Sequence, residues 1–126
     1  MENFIIEKGK HGSGKTTLLL TQAIFSIRNN KKVLIINNEE HLKALERRLT
    51  AMQKGNGISG IHVLQYLDFE KDNLNEIVDG FDVILIDNLE LFSDNKSMSD
   101  MLNIIRCVAD CYKNKKFVIT MGARLI

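Results

Sequence analysis

Gly9-Lys10-His11-Gly12-Ser13-Gly14-Lys15-Thr16 is the stretch from which the rest of the chain can be read. It satisfies G-x-x-x-x-G-K-[ST], the Walker A pattern, at every position. Its glycines let the backbone curl tightly, so that successive N–H groups point inward at phosphate oxygens. Lys15 brings a fixed cation to the β- and γ-phosphates of a nucleotide, and the Thr16 hydroxyl can ligate Mg²⁺. Upstream, Phe4-Ile5-Ile6 reads as part of a strand over roughly Asn3 to Glu7. Downstream, Lys15 to about Asn29 reads as a helix, with Leu18, Leu19, Ala23, Ile24 and Ile27 on a helical period. The loop therefore opens onto a helix N-terminus, where unpaired N–H groups and the macrodipole favour an anion. A glycine-rich turn that binds nothing would not require this order of strand, loop and helix. Gly9 to Thr16, together with Thr17, are the candidate nucleotide-binding residues.

Strand and helix go on alternating. Val33-Leu34-Ile35-Ile36 is a continuous apolar run of the kind buried on both faces of a parallel sheet. A helix is expected from about Glu40 to Lys54, striped by Leu42, Leu45, Leu49 and Met52. Lys54 to Gly60 carries three glycines and reads as a loop. Ile61 to Leu64 reads as a short strand, and Phe69, Leu74, Ile77 and Val78 mark a helix ending at Gly80. Phe81 to Asp87 is the strongest strand, followed by a polar loop at Ser93 to Ser97. A helix from about Ser97 to Lys113 turns Met101, Leu102, Ile105, Val108, Ala109 and Tyr112 inward, and Lys116 to Thr120 is the last strand. The alternation predicts an α/β fold with three layers, a mainly parallel sheet and right-handed crossovers. Ligands in such sheets sit beyond the carboxyl ends of the strands.

Two further acidic positions fall at such ends. Val83-Ile84-Leu85-Ile86-Asp87 has the Walker B form, four apolar residues and an aspartate, with the phosphate loop about 70 residues upstream. A buried strand would deliver the Asp87 carboxylate beside the loop to hold Mg²⁺, usually through a water. Asp82 begins the same strand and should face the opposite edge of the sheet. Glu39 and Glu40 follow the second strand. A carboxylate there can orient, or accept a proton from, water attacking a γ-phosphate. We read Glu39 as this base; Glu40 also fits an acid favoured by the dipole at a helix start.

The 126 residues, 44% hydrophobic and 26% charged, fit one globular domain over residues 1–126. A net charge of +1 gives no compositional pull toward nucleic acid or membrane. No apolar run approaches the roughly 18 residues of a membrane span, and Met1-Glu2-Asn3 lacks a signal-peptide opening. A cytoplasmic location is expected. Cys107 and Cys111, four apart in a helix, read as small buried side chains.

The order of these pieces resembles the RecA-like P-loop ATPase core, and within it the KaiC and DnaB-helicase branch. Asn37-Asn38-Glu39-Glu40 is similar to the glutamate that ends the strand after the P-loop helix in those proteins. Ile86-Asp87-Asn88-Leu89-Glu90-Leu91 is similar to their Asp-Ser-Leu stretch, and Lys15-Thr16-Thr17 repeats a common extra threonine. The resemblance implies ATP and Mg²⁺ as cofactors, with Lys15 and Glu39 catalytic and Thr16 and Asp87 at the metal. It also implies a role in DNA replication, repair or recombination, with DNA or a DNA-processing complex as partner, no membrane, and possible oligomers. The chain departs from the branch in ending at Ile126, just after the fourth core strand, which reads as a minimal or truncated core. It also lacks a glutamine after that strand, where Thr120-Met121-Gly122-Ala123-Arg124 stands. Arg124 either reaches a phosphate or is simply exposed.

Two functions from different classes fit. One is a RecA-like ATPase that turns over slowly or with a partner, since a missing arginine finger costs on the order of 10³–10⁵ in rate. The other is a nucleotide-binding switch or adaptor that docks on a larger ATPase with little hydrolysis of its own. A small phosphotransferase is the weaker alternative: no lid-like arginine cluster is present, and Arg47-Arg48 reads as a solvated helix face. The absence of an Asn-Lys-x-Asp guanine-reading pattern favours ATP over GTP.

Overall fold

A computed structural model describes residues 3–9, 15–37, 42–52, 60–65, 71–87, 89 and 97–122. In chain order the elements are β1 (Phe4–Gly9), α1 (Lys15–Arg28), β2 (Val33–Asn37), α2 (Leu42–Met52), β3 (Ile61–Leu64), α3 (Lys71–Val78), β4 (Val83–Asp87), α4 (Met98–Cys111) and β5 (Lys116–Gly122). The five strands form one sheet in the order β1-β5-β4-β2-β3, and every pairing is parallel. All carboxyl ends therefore lie at one pole of the sheet and all amino ends at the other.

The two most apolar strands, β2 and β4, are buried at every position. Successive side chains of a strand point to opposite faces, so these runs need a cover on both sides. One face presents Leu34, Ile36, Ile84, Ile86, Phe117 and Ile119 to α3 and α4, through Leu74, Val78, Met101, Ile105, Val108 and Ala109. The other presents Val33, Ile35, Val83, Leu85 and Val118 to α1 and α2, through Leu19, Leu20, Ala23, Leu45 and Leu49. This is the expected three-layer arrangement, helices on both faces of a parallel sheet.

Helix ends follow local chemistry. Asn30 adopts a left-handed φ of 63°, a conformation asparagine tolerates better than most residues. Its N–H donates to the Ile27 carbonyl and that of Lys31 to the Ser26 carbonyl, a Schellman arrangement that stops α1. Ser97 caps α4, its hydroxyl accepting from the Asp100 N–H at 3.1 Å. Asn3 Nδ2 donates to the Ala109 and Tyr112 carbonyls, both at 2.9 Å, tying the start of β1 to the end of α4.

Three expectations are corrected. β1 runs to Gly9 and β5 to Gly122, because the two pair in register from Phe4–Phe117 to Gly9–Gly122; a ladder of backbone hydrogen bonds does not need apolar side chains to continue. Cys107 and Cys111 are exposed, since the buried stripe of α4 runs through Met101, Ile105, Val108 and Ala109 and leaves both thiols on the outer face. Arg48 is part-buried rather than wholly solvated, for a reason given below. Among the described residues no helix is long and apolar enough to cross a membrane.

Ile84 and Leu85 are adjacent and face opposite layers. Ile84→Ala and Leu85→Ala should each lower unfolding free energy by about 2–5 kcal/mol in urea titrations. A loss under about 0.5 kcal/mol at either position, the value typical of a surface site, would mean that face is uncovered.

Candidate functional site

The parallel register assembles the site. Asn37 pairs with Asp87 across β2 and β4, and Thr120 lies one step past the Ile86–Ile119 pair of β4 and β5. Asn37 and Asp87 thus end β2 and β4 side by side, and Thr120, near the end of β5, lies at the same pole. Asp87 and Asn37 are each 1% exposed and Thr120 is fully buried.

Asp87 is the hub. Its Oδ2 accepts hydrogen bonds from Thr16 Oγ1 and Asn37 Nδ2, both at 2.7 Å. Its Oδ1 accepts from Thr120 Oγ1 at 2.7 Å. A carboxylate this deeply buried is tolerable only when its oxygens are hydrogen-bonded, and charge-assisted bonds of this length are the strong kind. Thr16 comes from the first turn of α1, so the start of that helix is held against the end of β4. Beside it, Arg48 of α2 donates from Nη2 to Thr17 Oγ1 at 3.0 Å. That bond explains why Arg48 is drawn inward while Arg47 stays exposed.

Of the residues singled out in the sequence, Thr16 and Asp87 meet directly, 71 positions apart. Thr17 is exposed on the first turn of α1, Lys15 is its first residue, and Gly9 closes β1 opposite Gly122. Lys10, His11, Gly12, Ser13, Gly14, Glu39, Glu40 and Arg124 lie outside the described residues. Asp82 sits at the amino pole, as expected, where its Oδ2 accepts from the Lys32 N–H at 2.8 Å. Asn37 and Thr120 were not singled out. Their signal was present: each is a polar residue that ends an apolar run, as Asp87 does.

The donor set suits a hard divalent cation. A hydroxyl and a carboxylate oxygen lie side by side, 2.7 Å apart, and hard oxygen ligands, few in number, match the way Mg²⁺ binds through one or two protein groups while keeping water and phosphate oxygens.

No protein-family model matches the sequence, and no curated protein does. Among solved structures, the chain is similar to the flagellar accessory protein FlaH from Methanocaldococcus jannaschii, with a TM-score of 0.71 and 13% sequence identity. The match covers 98% of this chain and 62% of that one, so the chain spans less than two thirds of the length of the protein it resembles. The fold is RecA-like, as the order of motifs implied.

Removing the Thr120 hydroxyl while keeping its shape isolates one arm of the hub. Thr120→Val should cost about 1–3 kcal/mol of stability, because it removes one of the three hydrogen bonds that hold the buried Asp87 carboxylate. Chemical denaturation measures it; an unchanged midpoint would mean the hub does not depend on this bond.

Proposed function

We propose that the chain binds Mg-ATP at the carboxyl pole of its sheet and hydrolyses it, as a RecA-like ATPase of the KaiC and DnaB-helicase type serving DNA replication, repair or recombination. The observation that carries this reading is the 2.7 Å contact between Thr16 and Asp87. It joins the two ends of a Walker A and Walker B pair, which could otherwise be unrelated motifs in one chain.

The amides of Gly9 to Thr16 and the Lys15 ammonium bind the β- and γ-phosphates. Thr16 would hold Mg²⁺ directly and Asp87 through a water, the Asp87 carboxylate oriented by Asn37 and Thr120. When bound there, Mg²⁺ would supply positive charge to offset what develops on the phosphate oxygens during transfer. Glu39 orients the attacking water and takes its proton. The triad of donors on Asp87 keeps both of its oxygens aimed before nucleotide arrives, so little rearrangement is needed on binding. The cellular setting of this reading is the cytoplasm.

Lys15→Ala removes the ammonium that faces the phosphates and should abolish Mg-ATP binding by calorimetry; an unchanged dissociation constant would sink the nucleotide site. Glu39→Gln should leave ATP affinity intact and remove steady-state turnover, measured with and without single-stranded DNA. Normal turnover by Glu39→Gln and none by Glu40→Gln would move the base by one residue.

A further inference from the structure

The first turn of α1 holds two adjacent threonines between groups of opposite charge. Thr16 Oγ1 donates to Asp87 Oδ2 at 2.7 Å, while Thr17 Oγ1 accepts from Arg48 Nη2 at 3.0 Å. Successive helical residues lie roughly 100° apart around the axis, so the acid at the end of β4 and the cation of α2 meet the turn from two sides. A hydroxyl carries one proton and two lone pairs. Thr16 has given its proton to the acid and keeps lone pairs to offer a cation. Thr17 has given a lone pair to the guanidinium and keeps its proton to offer an anion. A metal–phosphate pair presents both.

Thr21, one turn further on, shows what a helical threonine does otherwise. Its Oγ1 donates to the Thr17 carbonyl at 2.9 Å, the common back-bond to the residue four positions earlier. For Thr17 that residue is Ser13, which precedes the helix. Nor does the Arg48 bond pack α2 onto its layer. Leu45 and Leu49 do so, buried together with Leu19 and Leu20 of α1. Thr17 is exposed, and a hydrogen bond in water contributes little net free energy, while holding a long arginine in one rotamer costs entropy of the same order. Arg48 is therefore most useful when a ligand covers the first turn and excludes the water, because electrostatic contacts strengthen as the dielectric falls. An anion in front of the helix N-terminus, favoured there by unpaired N–H groups and the macrodipole, is such a ligand.

We propose that Arg48 is a positioning residue of the nucleotide site. It fixes the Thr17 hydroxyl so that its proton meets a phosphate oxygen, and it sets a second side-chain cation, after Lys15, one hydrogen bond from the phosphates within the same chain. The inference rests on the Mg-ATP reading of Gly9 to Thr16 and adds to it a residue that belongs to neither Walker motif. Arg47, its neighbour, is exposed on the same helix and has no such part.

The test is a double-mutant cycle on Mg-ATP affinity, measured by calorimetry with the full chain. Arg48→Met keeps an apolar stem and removes the charge and its donors; Thr17→Val removes the hydroxyl and keeps the shape. Each should weaken Mg-ATP about tenfold, the loss expected when a hydrogen bond to a charged group is removed. The double variant should be no more than about twofold weaker than Arg48→Met alone, since coupled residues do not add. Arg48→Lys, which returns a cation and a donor, should recover part of the loss. Arg47→Met should bind as wild type does. Urea midpoints without nucleotide should be the same for wild type, Arg48→Met and Thr17→Val, because the bond lies in water. Unchanged affinity in Arg48→Met would overturn the proposal. So would a double variant weaker by the product of the single losses, about a hundredfold, because Arg48 would then not act through Thr17. A lowered urea midpoint in Arg48→Met with Thr17→Val silent on ATP would make the bond a helix clamp, and an equal loss in Arg47→Met would reduce the effect to net charge; either result overturns it. Wild type that binds no Mg-ATP would overturn the nucleotide reading and this one together. Wild type that binds, with Lys15→Ala that does not, leaves the nucleotide reading standing whatever Arg48 shows.

Discussion

The burial of the Asp87 carboxylate constrains everything around the carboxyl pole. At 1% exposure it cannot rely on water, and its two oxygens must find donors in the protein. They find them in three different elements: Thr16 on α1, Asn37 on β2 and Thr120 on β5. Hydrogen bonds to a charged group are worth about 1.5–3 kcal/mol each, and leaving such a group unmet costs more. The same bonds that make the carboxylate tolerable therefore fasten the first turn of α1 to the sheet. The glycine-rich sequence Gly9 to Thr16 leads into α1, so a solution to a burial problem also sets where that helix must start.

A second constraint is the two-sided burial of β2 and β4. Five consecutive buried positions in each strand require a helical layer on both faces, and α1 with α2 and α3 with α4 supply them. Because every strand runs the same way, the connections sort the polar residues by pole. Those that follow strands gather around Asp87. Those that precede strands gather around Asp82, among them Lys32 and Lys116. A net charge of +1 for the whole chain conceals this separation, since charge averaged over a sequence carries no information about where it is displayed.

The similarity to FlaH makes a related point. At 13% identity over nearly the whole of this chain, few side chains are shared, yet the sheet and its helices superpose. What such a fold demands is apolar character at the right period and roughly the right volume, and many residues meet that demand.

Local pattern was enough for the alternation of strand and helix, the parallel sheet, a helix starting at Lys15, and an aspartate ending the strongest strand. These follow from periodicity and from the conformational freedom of glycine, which act over a few residues at a time. Chain order paired Thr16 with Asp87. Asn37 and Thr120 are not legible as site residues in the sequence because their partner is 50 and 33 positions away, and nothing local says which strands will be neighbours. The same holds for Arg48 reaching Thr17 across 31 positions. The cysteines came out on the wrong face because their shared spacing puts them on one side of α4 without saying which side. Strand order and helix rotation are settled by burying all the apolar surface at once, a condition on the whole chain, and only once it is met do residues far apart in sequence acquire the neighbours that define their chemistry.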